Sequence, residues 1–322
     1  MCLCIISSWY PLPANGIPSI VESNEVNHSR IRRNLAHAFS EKALRAQEPL
    51  LVSYADLLIQ ELSEQAKRGL PVVITRWYNF ATFDIIADLC FGEPLYCLKN
   101  NDYHVWVNLI FGSLKAVPLK TERPDFFTYI LKNQEKTDRA LTKGEMDANA
   151  VVMMVAGSET TATTLTFNST SQITLDAVGD LLYLLAVLQE GLRYYPPVAT
   201  GFPRIVPGAG QEISGHFISG GTAVERNFAN PQTFALEWWL EHERPMMYEN
   251  DKRETLQPFL FGPRNCLGKN LAYSELRLIL TKMLFHFDFE FVQEDKTWMS
   301  DQLVFGLWEK PPLNVKLTPV QR

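Results

Sequence analysis

Apolar positions recur at helical spacing through most of this chain, and helix-stopping residues punctuate them. Asn27 to Leu44 opens with a basic turn (His28, Arg30, Arg32, Arg33) and continues with Leu35, Ala38 and Phe39, which predicts a first helix. Pro49 opens a second, to about Arg68, stopped by Gly69 and Pro71. Thr75 caps a third, Arg76 to Phe91, with Gly92 just past its end. Polar text from Lys120 to Lys143 holds a helix around Asp125 to Glu135. The T-x-x-E box of Thr142 and Glu145 begins a long helix carrying Met153 to Thr166. Another runs from about Leu175 to Tyr195 and ends at Pro196-Pro197, which cannot continue it. Its run Leu181 to Leu188 is apolar all round and is expected to be buried. From Gly201 to Val224 the pattern shortens to turns and alternating pieces, a small β region. A helix from Lys269 to Leu284 follows later. Phe285 to Val292 then alternates as a strand, with Asn314 to Leu317 as its partner. The expectation is a mainly α fold with a small β region, in a single domain spanning residues 1–322.

Composition narrows the function classes. The chain has 322 residues, 46% of them hydrophobic, which is enough for a sizeable core. A net charge of −6 gives no footprint for nucleic acid or for an anionic membrane. Five cysteines make no CxxC pair and no disulfide framework, which fits an intracellular chain with reduced thiols. No segment reaches the apolar length of a membrane span, so no transmembrane anchor is expected.

One cysteine changes the picture. Cys266 lies in Phe259-Leu260-Phe261-Gly262-Pro263-Arg264-Asn265-Cys266-Leu267-Gly268, just before a helix. The N–H groups and dipole of that helix are expected to lower the thiol pKa. An axial thiolate suits haem iron in oxygenases, because sulfur pushes electron density onto the metal. Gly262 and Gly268 let the backbone turn tightly beside a flat cofactor, Phe259 shields the sulfur, and Arg264 reaches a propionate. The pattern F-x-x-G-x-R-x-C-x-G resembles the haem-binding loop of the cytochrome P-450 superfamily.

Other stretches carry the same resemblance. Ala156-Gly157-Ser158-Glu159-Thr160-Thr161 lies within the long helix, where Gly157 costs about 1 kcal/mol. A flat ligand lying against the helix would explain that glycine. Glu159 and Thr160 place an acid beside an alcohol, suited to handing on protons, and resemble the family's oxygen-activating (A/G)-G-x-(E/D)-T. Glu190 and Arg193, an E-x-x-R pair, resemble the family's structural pair behind the haem. His28-Ser29-Arg30-Ile31-Arg32 resembles the helix that meets the propionates through its first and last residues, and Arg204 matches a further propionate arginine. The wording around Trp77 to Asp84, Arg123 to Phe126 and Tyr194 to Pro197 is similar to fungal secondary-metabolism members, in flavour to trichothecene-pathway hydroxylases.

The resemblance implies heme b, an NADPH-dependent cytochrome P-450 reductase as electron partner, and an apolar small-molecule substrate. The family is bound to the endoplasmic-reticulum membrane. The chain departs from the family in length. It jumps past the access helices between Pro118 and Glu122, and past further helices near Phe167 to Gln172. A β segment is cut short after Ala223. The expected fold is therefore cytochrome P-450-like, lacking several elements. Leu236-Glu237-Trp238 also replaces the family's P-E-R, so the arginine completing the Glu190–Arg193 triad is missing. Arg226 and Arg244 are candidate substitutes, and Trp238→Arg is expected to stabilise. Three readings stand: a monooxygenase acting on an apolar substrate, a non-catalytic remnant from gene decay or a wrong gene model, and a haem-binding sensor without turnover.

Overall fold

The structure is a computed structural model. It describes residues 4–5, 15–105, 107, 140–170, 181–198, 204–205, 211–213, 216–218, 233–240, 242, 244–292, 298, 301–305 and 307–320. The expected helix at Asp125 to Glu135 lies outside these residues, as does Arg226.

The chain begins with strand β1 (Cys4–Ile5) and helix α1 (Glu25–Ala36), whose N-terminal N–H groups are met by the Asn24 side chain, which accepts from Asn27. Helix α2 (Glu41–Lys67) follows, capped by Ser40, whose hydroxyl accepts from Ala43. The expected single helix from Asn27 to Leu44 is thus two, broken at residues 37–40. Pro49 sits inside α2 rather than opening it. It lies on the exposed face, where water can meet the carbonyl its missing N–H leaves free. Strand β2 (Val72–Val73) leads straight into α3 (Ile74–Phe91). Thr75 is inside α3 and caps nothing, because the helix starts from Val73 with no side-chain cap. Gly92, at φ 72°, closes α3 in the left-handed region. Every residue of α3 except Arg76 is buried, so this helix is the centre of the core. A short helix α4 (Cys97–Asn100) is tied to it, because the Asp84 carboxylate accepts the N–H groups of Cys97 and Leu98, both at 2.9 Å.

Helix α5 (Lys143–Thr170) begins at the expected capping box. Thr142 N–H donates to Glu145 at 2.9 Å, and Glu145 N–H donates to the Thr142 hydroxyl at 3.2 Å. The described part of the next helix is α6 (Leu181–Tyr194). Its apolar run is not buried all round, since Leu182 is 64% exposed. The β region appears as β3 (Arg204–Ile205), which pairs with β1, and the hairpin β4 (Gln211–Ile213) and β5 (His216–Ile218). Helix α7 (Lys269–His286) buries Leu271, Glu275, Ile279 and Met283 on one face. It runs two residues further than expected, so the strand after it, β6, is Phe287–Phe291. A hairpin of β7 (Leu303–Phe305) and β8 (Leu307–Glu309) precedes β9 (Asn314–Pro319). Strands β6 and β9 pair antiparallel with Phe289 opposite Leu317, and β2 joins the far edge of β9. The fold is mainly helical with small sheets, and it places the loop before α7 against α1 and the middle of α5 against α3.

Candidate functional site

The Cys266 loop is a tight turn closed by its own backbone. Cys266 N–H donates to the Phe259 carbonyl at 2.7 Å, and Asn265 N–H to that of Gly262 at 3.0 Å. Gly262 sits at φ 81°, where a side chain would be strained. Leu260 adopts φ 61° without being glycine, at a cost of about 1–2 kcal/mol, the kind of strain that collects at functional sites. Gly268 needs no unusual backbone. A Cβ there would stand 3.9 Å from both the Cys266 sulfur and the Phe39 ring, in ordinary contact. Phe259 packs on Tyr273 with ring centroids 5.2 Å apart, and Gln189 of α6 donates to the Tyr273 hydroxyl at 3.0 Å. A chain of contacts therefore runs from α6 through α7 to the loop.

Cys266 is exposed, whereas Cys90 and Cys97 are buried. Protein nevertheless crowds the sulfur from behind, and this burial pushes the thiol up. The N–H groups of Gly268 and Lys269 and the charge of Arg32 pull it back only in part. The expected lowering by the helix N-terminus is therefore outweighed in the free chain. The donor set still fits a haem iron: a soft sulfur turned outward, met by two N–H groups and a nearby guanidinium.

His28 and Arg32 lie one turn apart on α1, with His28 buried. Arg32 donates to the Asn265 carbonyl at 2.7 Å and also bonds the Asn265 side chain. Arg264 donates to the Ser23 carbonyl at 2.8 Å. Both arginines stitch α1 to the Cys266 loop. Each guanidinium has five N–H donors, so such bonds do not exhaust it. Arg204 lies in β3, opposite Ile5. Asn265 was not among the sequence candidates, and its partner is 233 residues away.

On α5 the structure separates the expected acid–alcohol pair. Consecutive helical residues point about 100° apart. The Thr160 hydroxyl donates back to the Ala156 carbonyl at 2.6 Å. The Glu159 carboxylate is buried and faces elsewhere: Asn79 of α3 donates to it at 3.2 Å, and the Lys310 ammonium stands 3.4 Å away. Gly157 has a packing reason rather than a ligand one, since a Cβ there would meet Ile86 of α3 at 2.9 Å. Two further residues had no place in the sequence reading. Lys310 gives no local signal, because it meets Glu159 across 151 residues. Glu275 does give one: it is an acid on the buried stripe of α7. Burial pushes its carboxyl up to about 8, opposed by a hydrogen bond from Thr161 of α5.

The pair behind the loop is closely bound. Arg193 grips Glu190 bidentately, Nε to Oε2 and Nη2 to Oε1, both at 2.8 Å. The Ala235 N–H donates to Glu190 at 2.7 Å, and the Trp239 indole N–H at 3.0 Å. Trp238, 0% exposed, lays its ring 4.2 Å from the Arg193 guanidinium carbon. Arg253 donates to the Trp238 carbonyl at 2.9 Å. The two tryptophans supply a cation–π face and an indole donor where an arginine was expected. This reverses the expectation that Trp238→Arg stabilises.

Comparison with known proteins agrees with this geometry. The family model described as Cytochrome P450 matches residues 13–117, 112–168 and 166–317. Its three pieces meet at 112–117 and 166–168, beside the two places where the sequence jumps. The chain is 37% identical over 390 residues to cytochrome P450 monooxygenase aclL of Aspergillus oryzae, covering 98% of this chain and 78% of that protein. It is 35% identical to the trichothecene C-15 hydroxylase of Fusarium sporotrichioides, over 94% of this chain and 76% of that one. It is also 35% identical to the averantin hydroxylase of Dothistroma septosporum, over 95% and 72%. The first alignment is longer than the 322 residues of this chain, so that relative carries internal residues this chain lacks. With its Cys266 loop, its E-x-x-R pair and a match along nearly its whole length, the chain belongs to the cytochrome P450 family.

Proposed function

We propose that this chain is a haem-thiolate monooxygenase, one domain over residues 1–322, that inserts an oxygen atom from O2 into an apolar small molecule of secondary metabolism. The observation that carries this reading is the exposed Cys266 thiol, set in a self-closed turn and met by the N–H groups of Gly268 and Lys269. Heme b, when bound, supplies O2 binding and activation. Cys266 would hold its iron through the sulfur, and Phe259 would shield that sulfur. Gly262 and Gly268 shape the turn. His28, Arg32, Arg204 and Arg264 hold the propionates, each a donor to a carboxylate. Glu159 and Thr160 move protons. Glu190 and Arg193 keep the wall behind the loop in place. Electrons come from an NADPH-dependent cytochrome P450 reductase. No helix among the described residues is long and apolar enough to cross a membrane, and we place the protein inside the cell. The relatives named as hydroxylases support the reaction class.

The test is the carbon-monoxide difference spectrum of the reduced, purified chain. The expected result is a thiolate-type band that Cys266→Ala abolishes. A band unchanged in that variant overturns the ligand assignment. The breaks in the family match favour a second reading, a remnant that does not turn over. A chain that takes up no haem in any preparation decides for the remnant.

A further inference from the structure

The Cys266 loop meets the α1 region through two contacts that run in opposite directions. The Arg264 side chain reaches out of the loop and donates to the Ser23 carbonyl at 2.8 Å. The Arg32 side chain reaches into it: Nη1 donates to the Asn265 carbonyl at 2.7 Å, and Nη2 donates to the Asn265 side-chain oxygen. One residue therefore accepts from both ends of one guanidinium, and that residue directly precedes Cys266. Two acceptors fix the plane of a guanidinium, whereas one leaves it free to turn. The turn itself does not use the Asn265 side chain, because it closes through backbone bonds from Cys266 to Phe259 and from Asn265 to Gly262. Arg32 is half-buried on α1, next to the exposed Arg33. Burial pulls its guanidinium below the usual arginine range, and the Cys266 sulfur opposes that shift.

We infer that Asn265 is a positioning residue, which holds the Arg32 guanidinium against the Cys266 loop and so fixes a positive charge beside the sulfur. This rests on the reading of Cys266 as the residue that holds a haem iron. A cation held near the sulfur favours the arrival of one electron at that iron, because the electron adds negative charge where the guanidinium stands. The electron comes from the reductase, and no bond forms or breaks. Without the side-chain acceptor, Arg32 keeps only its bond to the carbonyl and turns toward water, where its charge is screened. Asn265 takes two of the five N–H donors of Arg32, so the same guanidinium remains able to meet a carboxylate.

Two measurements on the full chain test this. The first needs no haem: denaturant unfolding of wild type, Asn265→Leu, Arg32→Met and the double variant. The expected result is a lower midpoint for each single variant and a double variant no worse than Arg32→Met alone. Additive losses overturn the contact. Asn265→Asp keeps the side-chain acceptor and is expected to keep the wild-type midpoint, and a fall equal to that of Asn265→Leu also overturns the contact. The second is the reduction potential of the haem-loaded chain, read alongside the carbon-monoxide band. Asn265→Leu is expected to keep the band and to lower the potential, a several-fold weaker uptake of the electron. A potential equal to wild type in Asn265→Leu, with the band intact, overturns the positioning role and leaves the haem-thiolate reading standing. Absence of the band in wild type removes both.

Discussion

The molecule buries two acids against cations, one behind the Cys266 loop and one on α5, and binds them differently. Glu190 meets Arg193 through two bonds of 2.8 Å and accepts two more donors, from Ala235 and Trp239. Glu159 has a lysine at 3.4 Å and one amide at 3.2 Å. The first acid is fixed in place, as suits a wall that must not shift. The second keeps a short list of longer contacts, so less holds its carboxylate in one place. Number and length of bonds, rather than the mere presence of a buried charge pair, separate the two. Glu275 extends the series: it is fully buried with a hydroxyl for a partner, and it answers burial by holding its proton.

The largest test removes the fixed pair. Arg193→Met leaves Glu190 buried beside neutral donors and is expected to cost about 3–5 kcal/mol in denaturant unfolding. A loss under about 1 kcal/mol would erase the distinction between the two pairs. Next comes Trp238→Arg, which sets a second guanidinium in a fully buried place beside Arg193 and discards the ring that covers it. A loss of about 2–4 kcal/mol is expected, and a higher melting temperature would restore the arginine triad as the better arrangement. The last test, at Glu275, reads a slope that is small per pH unit rather than one loss. Burial lifts its carboxyl from the ordinary 4.5 to about 8, so the folded chain binds the extra proton between those values. Stability therefore falls as pH rises through that window, by roughly 1.4 kcal/mol per pH unit. Glu275→Gln should remove that slope in unfolding measured from pH 5 to 8, and an unchanged slope would assign it to other groups.

What the sequence disclosed follows from what is local. The capping box at Thr142, the αL stop at Gly92 and the Cys266 turn are written in adjacent residues, and all appear. The boundary at Ser40 was hidden because Pro49 is the stronger textual signal, yet the serine hydroxyl captures the Ala43 N–H first. Gly157 points to a ligand in the sequence only because its real neighbour, Ile86, is remote along the chain. Glu159 and Thr160 are adjacent in sequence but not facing each other, since helical neighbours diverge. Lys310 could not be read at all, because nothing near it marks a partner across 151 residues.

The stitches between α1 and the Cys266 loop also bear on timing. Arg32 to Asn265 and Arg264 to Ser23 join residues 233 and 241 apart. Contacts of such separation form late, since the intervening chain must be drawn together first. During synthesis α1 emerges from the ribosome long before its partner exists, and its basic face waits in water. The helices between them can collapse meanwhile through nearer contacts. Closing the contact between α1 and the Cys266 loop is thus a finishing step of folding, and a chain stalled before it would hold a formed core with that clasp still open.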